Sequence, residues 1–126
     1  MKKKIPTEKH EISFRDGKFI GEMRSGLPHG IGTYTCEEFT YIGSWFYGTM
    51  SGLGVIQYAG GSFYKGEFYA DRRHGHGEED LISASGKIRY VGGWKNGKKH
   101  GRGVEISYID GEVVRLEGVW EDDVKS

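Results

Sequence analysis

Imidazole and carboxylate side chains come closest together in one stretch of this chain, His74-Gly75-His76-Gly77-Glu78-Glu79-Asp80. If the stretch is extended, side-chain alternation places both histidines on one face, which is how a metal site begins. A stable site needs more ligands converging on one point, and partners that orient them. His74 also stands where His29 and His100 stand in related segments, each directly before a glycine. The plainer reading is a loop residue that bonds a turn, with only His76 left over. Cys36 is the single cysteine and has no histidine beside it, so it reads as a buried or inert thiol rather than a nucleophile. There is no Ser/His/Asp set and no phosphate-cradling loop, because each Gly-x-Gly recurs at a fixed place in a repeat. The expectation is a protein that is not an enzyme and uses no metal and no cofactor.

Lys+Arg and Asp+Glu number 18 each, for a net charge of zero. That balance argues against a general nucleic-acid binder, whose affinity rests on neutralising phosphates. The distribution says more than the sum. Arg24, Arg72, Arg73, Lys95, Lys98 and Lys99 lie in segments that read as loops, Arg102 lies just beyond, and Asp71 is the only acid among them. One long edge of the fold is expected to be basic, with Glu37, Glu38, Asp110 and Glu112 at the opposite tips. Near an anionic leaflet each such cation contributes up to about 1 kcal/mol, enough for weak recruitment, and Lys2, Lys3 and Lys4 would add to it. The alternative is a solvated edge, the ordinary state of charged loops.

The elements that position these residues are repeats. Phe19, Tyr41, Tyr64, Tyr90 and Leu116 are each followed two residues on by glycine, and four residues on by Met23, Trp45, Phe68, Trp94 and Trp120. A later glycine pair recurs as Gly30 with Gly32, Gly52 with Gly54, Gly75 with Gly77, and Gly101 with Gly103. First positions lie 22, 23, 26 and 26 residues apart, the range of stacked supersecondary units. Spacing of i, i+2 and i+4 puts ring, glycine and ring on one strand face, and the two glycines of the second arm are expected to share a face as well. Asp110-Gly111 is a strong hairpin signal, and a hairpin centred there sets Gly103 opposite Gly118. The same pairing in the other units puts tips near Glu37-Glu38, Gly60 and Ala84-Ser85. The expected fold is all-β, an elongated single-layer antiparallel meander of stacked hairpins. It should widen toward its C-terminal half, where the glycine-to-glycine span across the tip grows to 15 residues from 11 or 12.

Composition agrees with this reading. A chain of 126 residues has room for one domain, and 22 glycines far exceed ordinary usage of about 7%. No apolar run approaches the ~18 residues of a membrane span, and no apolar segment follows the basic start to make a signal peptide. A reduced, cytoplasmic setting is expected.

The stretches YIGSWFYGTMSGLG and YVGGWKNGKKHGRG resemble the MORN repeat, whose pattern is Tyr-x-Gly-x-Trp-x-x-Gly-x-x-His-Gly-x-Gly. The resemblance covers roughly residues 19–120; it departs at Asp71, which stands in the loop-glycine position, and in the long tips of the last two units. It divides the chain into a basic tail and capping half-repeat over residues 1–18, and an array over 19–120 with units starting at 19, 41, 64 and 90 and a final half-unit at 116. Residues 121–126 form an acidic end, where Glu121, Asp122 and Asp123 read as a guarded sheet edge. The resemblance implies a non-catalytic scaffold that often dimerises and belongs to cytoskeletal or membrane-associated assemblies.

In such an array, Tyr41, Trp45, Tyr47, Tyr58, Tyr64, Phe68, Tyr69, Tyr90, Trp94 and Trp120 are expected to line a groove over the bare glycines, some of them partly exposed because a single layer cannot bury everything. A peptide or helical segment of another protein would bind there, since rigid aromatic anchors dominate interface energetics, although every ring is also needed to fill its own repeat. The competing reading is a peripheral binder of anionic lipids such as phosphoinositides, through Arg24, Arg72, Arg73, Lys95, Lys98, Lys99 and Arg102. Open terminal strands can also pair with a second copy through main-chain hydrogen bonds, giving an edge-to-edge homodimer.

Overall fold

The computed structural model describes residues 9–126; the lysines at positions 2, 3 and 4 lie outside the described residues. Eleven strands follow one another as neighbours in one antiparallel sheet. They are β1 (His10–Phe14), β2 (Gly17–Arg24), β3 (Leu27–Thr35), β4 (Phe39–Phe46), β5 (Thr49–Tyr58), β6 (Phe63–Tyr69), β7 (Arg72–Ser83), β8 (Gly86–Lys95), β9 (Lys98–Ile109), β10 (Glu112–Glu121) and β11 (Val124–Lys125). The tips fall at Glu37-Glu38, around Gly60, at Ala84-Ser85 and at Asp110-Gly111, as the hairpin register requires. β7 and β9 reach 12 residues each against 9 and 10 in β3 and β5, so the sheet does widen.

Register is fixed by one unbroken row of glycine. Gly21 pairs with Gly32, Gly32 with Gly43, Gly43 with Gly54, Gly54 with Gly66, Gly66 with Gly77, Gly77 with Gly92, Gly92 with Gly103 and Gly103 with Gly118. Only small backbones can line up this way, because the first ring of each unit, Phe19, Tyr41, Tyr64 or Tyr90, folds back over the row. A Cβ added at Gly54 would sit 2.5 Å from the Tyr41 ring. The hydroxyls of Tyr41, Tyr64 and Tyr90 then donate to the carbonyls of Ser44, Glu67 and Gly93 at 2.7, 2.8 and 2.9 Å.

The first glycine of each Gly-x-Gly has a different task from the second, rather than sharing its face. Gly30, Gly52, Gly75 and Gly101 have φ of +101°, +98°, +86° and +83° and sit where the register slips within the hairpin. They are bulge residues in a conformation that favours glycine.

Rings pack edge to face in a continuous chain across the sheet. Its order is Phe19, Trp45, Tyr41, Phe68, Tyr64, Trp94, Tyr90, Trp120, with successive centroids 5.1–5.3 Å apart. Such contacts contribute about 0.5–1.5 kcal/mol each beyond burial. Trp45 and Trp94 add indole N–H donors to the carbonyls of Gly32 and Gly77 at 3.3 and 3.2 Å.

Each unit also clasps the one before it. Two-residue turns at Ser25-Gly26, Tyr47-Gly48, Ala70-Asp71, Asn96-Gly97 and Asp122-Asp123 have both residues at positive φ, the turn whose twist matches a hairpin. The second N–H of the last four turns donates back across a unit, from Gly48 to Pro28, Asp71 to Met50, Gly97 to Arg73 and Asp123 to Lys99, at 2.8–3.1 Å. The first N–H finds the side chain that precedes the bulge glycine: Tyr47 donates to His29 Nδ1 (3.1 Å), Ala70 to Ser51 Oγ (3.1 Å) and Asn96 to His74 Nδ1 (3.5 Å). Asp71 makes up for not being glycine, since its Oδ1 accepts from Met50 N and its Oδ2 pairs with Arg15, both at 2.8 Å.

The acidic end is not a guard along the edge. Asp122 and Asp123 form the turn into β11, which covers only Trp120 and Glu121. Ser126 N also donates to the Val119 carbonyl at 3.0 Å, so the open edge of β10 runs from Glu112 to Glu117.

Candidate interaction surface

On the ring face the expected groove is closed. Tyr41, Trp45, Tyr64, Phe68, Tyr90, Trp94 and Trp120 are 0–5% exposed, because each tyrosine slots between the second ring of its own unit and that of the next. These seven form the core of the sheet. Burial pushes the phenols of Tyr41, Tyr64 and Tyr90 above the ordinary value. Tyr58 is half-buried and holds Arg73, while Tyr47 and Tyr69 are exposed at the loop edge, stacked on His29 and His74 with centroids 4.3 and 5.7 Å apart.

Two of the seven expected edge cations turn inward as well. Arg73 pairs with Glu79 and donates to Tyr58 Oη at 2.8 Å, with its guanidinium 5.0 and 5.1 Å from the centroids of Tyr64 and Trp94. One unit on, Lys99 pairs with Glu105 at 3.0 Å and lies 5.2 Å from the Tyr90 ring. By register the same two positions hold Pro28 with Tyr34 in the first unit and Met50 with Ile56 in the second. An ionic pair and an apolar pair thus fill one structural place. The sequence signal was present, since Arg/Glu and Lys/Glu each sit six residues apart at equivalent positions. Arg24, Arg72, Lys95, Lys98 and Arg102 remain exposed.

The histidine and carboxylate stretch does not converge. His74 bonds the Asn96 turn, Glu79 faces the rings, and Asp80 lies on the opposite face with Arg89 at 3.1 Å and Lys87 at 3.8 Å. Among the described residues, no group of three or more His, Cys, Asp or Glu side chains could hold a metal ion.

The outer face, away from the rings, carries the open apolar surface. Strand alternation puts Ile20, Ile42, Val55, Val91 and Val104 on it in one row, with Ile31 and Leu53 in the next. Leu53 is 69% exposed. Over the glycine row this face sinks into a depression of about 580 Å³ around Gly54, Gly66 and Gly77, lined by Leu53, Val55 and Val91, with Lys65 and Glu78 between the two valines and Glu67 and His76 in the row of Leu53. Its depth is not legible in the sequence, because a glycine row bared for rings on one face is bare on the other as well, and residue type alone does not say which face stays open.

A family model described as MORN repeat matches residues 19–38, 41–63, 64–81 and 90–109. The chain is 36% identical over 91 residues to Alsin of Homo sapiens and of Rattus norvegicus, covering 71% of this chain and 5% of Alsin. It is 33% identical over 94 residues to ALS2 C-terminal-like protein of Bos taurus, covering 68% of this chain and 10% of that protein. The chain therefore spans a small fraction of the length of the relatives it matches.

Proposed function

Because the chain belongs to the MORN repeat family, we propose that it is a non-catalytic interaction module that binds a segment of another protein across the outer face of its sheet, in a cytoskeletal or membrane-associated assembly. The observation that carries this reading is the apolar depression around Leu53, Val55 and Val91, continuous with exposed Ile31 and Ile42. Contiguous apolar surface of this kind is uncommon on a solvated face and marks interaction sites. The rings supply the rigid frame behind it. Leu53→Asp and Val91→Asp, in protein whose circular dichroism is unchanged, should lose the partners that the parent chain captures and cross-links. Retention of the same partners by both variants would overturn the reading.

A second reading is favoured by the loop edge. Phe46 and Tyr69, both exposed, lie along the same loop edge as exposed Arg24, Arg72, Lys95 and Lys98, with Tyr69 paired to Arg72, and exposed rings among cations suit an anionic membrane surface. Among the described residues no helix is long and apolar enough to cross a membrane, so contact of this kind would be peripheral. Sedimentation with phosphoinositide liposomes at physiological salt tests it: binding that disappears in Arg72→Glu/Lys98→Glu supports it, and binding confined to low salt removes it.

Self-association would use β10. Pairing two copies antiparallel about Leu116 sets Arg115 of one opposite Glu117 of the other, twice. The same Arg115 and Glu117 already pair at 3.0 Å within one chain. Light scattering should show a dimer that Glu117→Pro abolishes, since by strand alternation the Glu117 N–H faces the open side of β10 and proline removes that main-chain donor; a monomer across micromolar concentrations excludes it.

A further inference from the structure

The residue before the second ring of each unit faces the bulge in that unit's own second arm. In the first unit this is Glu22, whose Oε1 accepts from Ile31 N at 2.8 Å; in the third it is Glu67, whose Oε2 accepts from His76 N at 2.6 Å. Both carboxylates lie over the bulge glycine, so that a Cβ on Gly30 would meet Glu22 at 3.0 Å and one on Gly75 would meet Glu67 at 2.5 Å. Ser44 fills the same place in the second unit, 3.0 Å from a Cβ on Gly52.

The fourth unit is different. Its residue is Gly93, and nothing lies within 4 Å of a Cβ placed on Gly101. A side chain cannot be supplied from position 93, where a Cβ would collide with the His100 carbonyl. The corresponding bulge residue is Arg102, exposed on the outer face. At the strand ends beside it Lys95 pairs directly with Lys98, two like charges whose repulsion an anion would relieve. Of the nearby acids, Asp123 is committed to Lys99 N at 2.8 Å and Glu117 to Arg115, while Asp122 is exposed in the turn and Glu121 is exposed at the end of β10.

We infer that this place in the fourth unit binds a carboxylate supplied from outside, an Asp or Glu side chain of a partner protein segment. Glu22 and Glu67 are the chain's own templates for the ligand. The inference rests on the outer-face protein-binding reading and extends it: the site lies on the same face as the depression, two strands or ~10 Å along from the His76 bulge. The partner segment would present an apolar side chain to Leu53 and Val91 and an acidic one to Arg102.

The test is an amide titration of ¹⁵N-labelled protein with acetyl-tetraglutamate amide, against acetyl-tetraglutamine amide and sodium sulfate at matched ionic strength. Saturable shifts should appear at the Arg102 and Gly101 amides with the glutamate peptide alone, and Arg102→Gln should weaken them roughly tenfold. Glu67→Ala, which empties the equivalent place in the third unit, should add His76 to the responding amides. Leu53→Asp should leave the Arg102 response intact, so failure here is distinguishable from failure of the protein-binding reading. No shift at Arg102 up to about 10 mM peptide, or the same shift with tetraglutamine or sulfate, would overturn the proposal.

Discussion

Glycine inside a strand normally weakens it, and its presence means that something comes close to the backbone. At Gly54 that something is the Tyr41 ring on one face, with the Gly43 and Gly66 backbones flanking it within the sheet. Gly60, six residues away at a tip, has nothing within 4 Å of its missing Cβ. Gly54→Ala should therefore lower stability by about 2–3 kcal/mol, since the ring must leave its slot, while Gly60→Ala should stay within about 0.5 kcal/mol. Urea midpoints of the two variants check this, and equal midpoints would remove the ring-over-glycine account. That Gly54 belongs to a glycine row was legible in the sequence, because a hairpin centred on Asp110-Gly111 forces glycine opposite glycine and the spacing repeats. The left-handed bulge at Gly52 was not, because Gly-x-Gly in an extended strand reads the same whether or not a register slip falls on the first residue. Ser51 stands where other units have histidine, as the repeat alignment shows, but the task it shares with His29 and His74 does not show in the residue type. What the position requires is an acceptor atom for the next turn's N–H, and a hydroxyl supplies one as well as an imidazole does.

Hairpins repeat more faithfully than their contents. The place under the ring chain that Met50 and Ile56 fill in the second unit is filled by Arg73 and Glu79 in the third, where their side chains are 19% and 7% exposed. A buried ion pair is weak evidence for stability, because desolvation offsets the attraction, but removing one partner leaves an uncompensated charge. Arg73→Met alone should cost about 3–5 kcal/mol, because Glu79 would face Tyr64 and Trp94 unpaired. The double variant Arg73→Met/Glu79→Ile reproduces the second unit's chemistry and should recover most or all of that loss. A double-mutant cycle in guanidinium measures the coupling; additive single effects would mean that the pair contributes nothing as a pair. The inward turn of Arg73 and Lys99 escaped the sequence because adjacent cations in Arg72-Arg73 and Lys98-Lys99 read as one charged loop. Strand alternation sends only one of each two to solvent.

Across the whole molecule the same phenol recurs in three units, so a small effect at one ring is multiplied. Tyr41, Tyr64 and Tyr90 are essentially removed from water, and burial holds each phenol above its ordinary value of 10.0. Nearby acids push the same way, Asp71 at Tyr41 and Asp123 with Glu105 at Tyr90. Above pH 10.0 the unfolded chain has lost protons that the folded chain keeps. Fewer protons bound in the unfolded state means that stability falls as pH rises. The contribution is fully present below that pH and is lost on the way up to the folded values, at a slope approaching about 1.4 kcal/mol per pH unit for each phenol. Phe19 is the chain's own control, a ring of the same kind without the hydroxyl. Replacing all three tyrosines by phenylalanine should lower stability at neutral pH, because the hydrogen bonds to the Ser44, Glu67 and Gly93 carbonyls go. It should also flatten the fall above pH 10, so that the two curves converge as alkalinity increases. Thermal unfolding followed from pH 8 to 12 decides the matter: parallel curves for the parent and the triple variant would mean that the phenols ionise as freely in the folded sheet as in the open chain, and that the ring chain admits water.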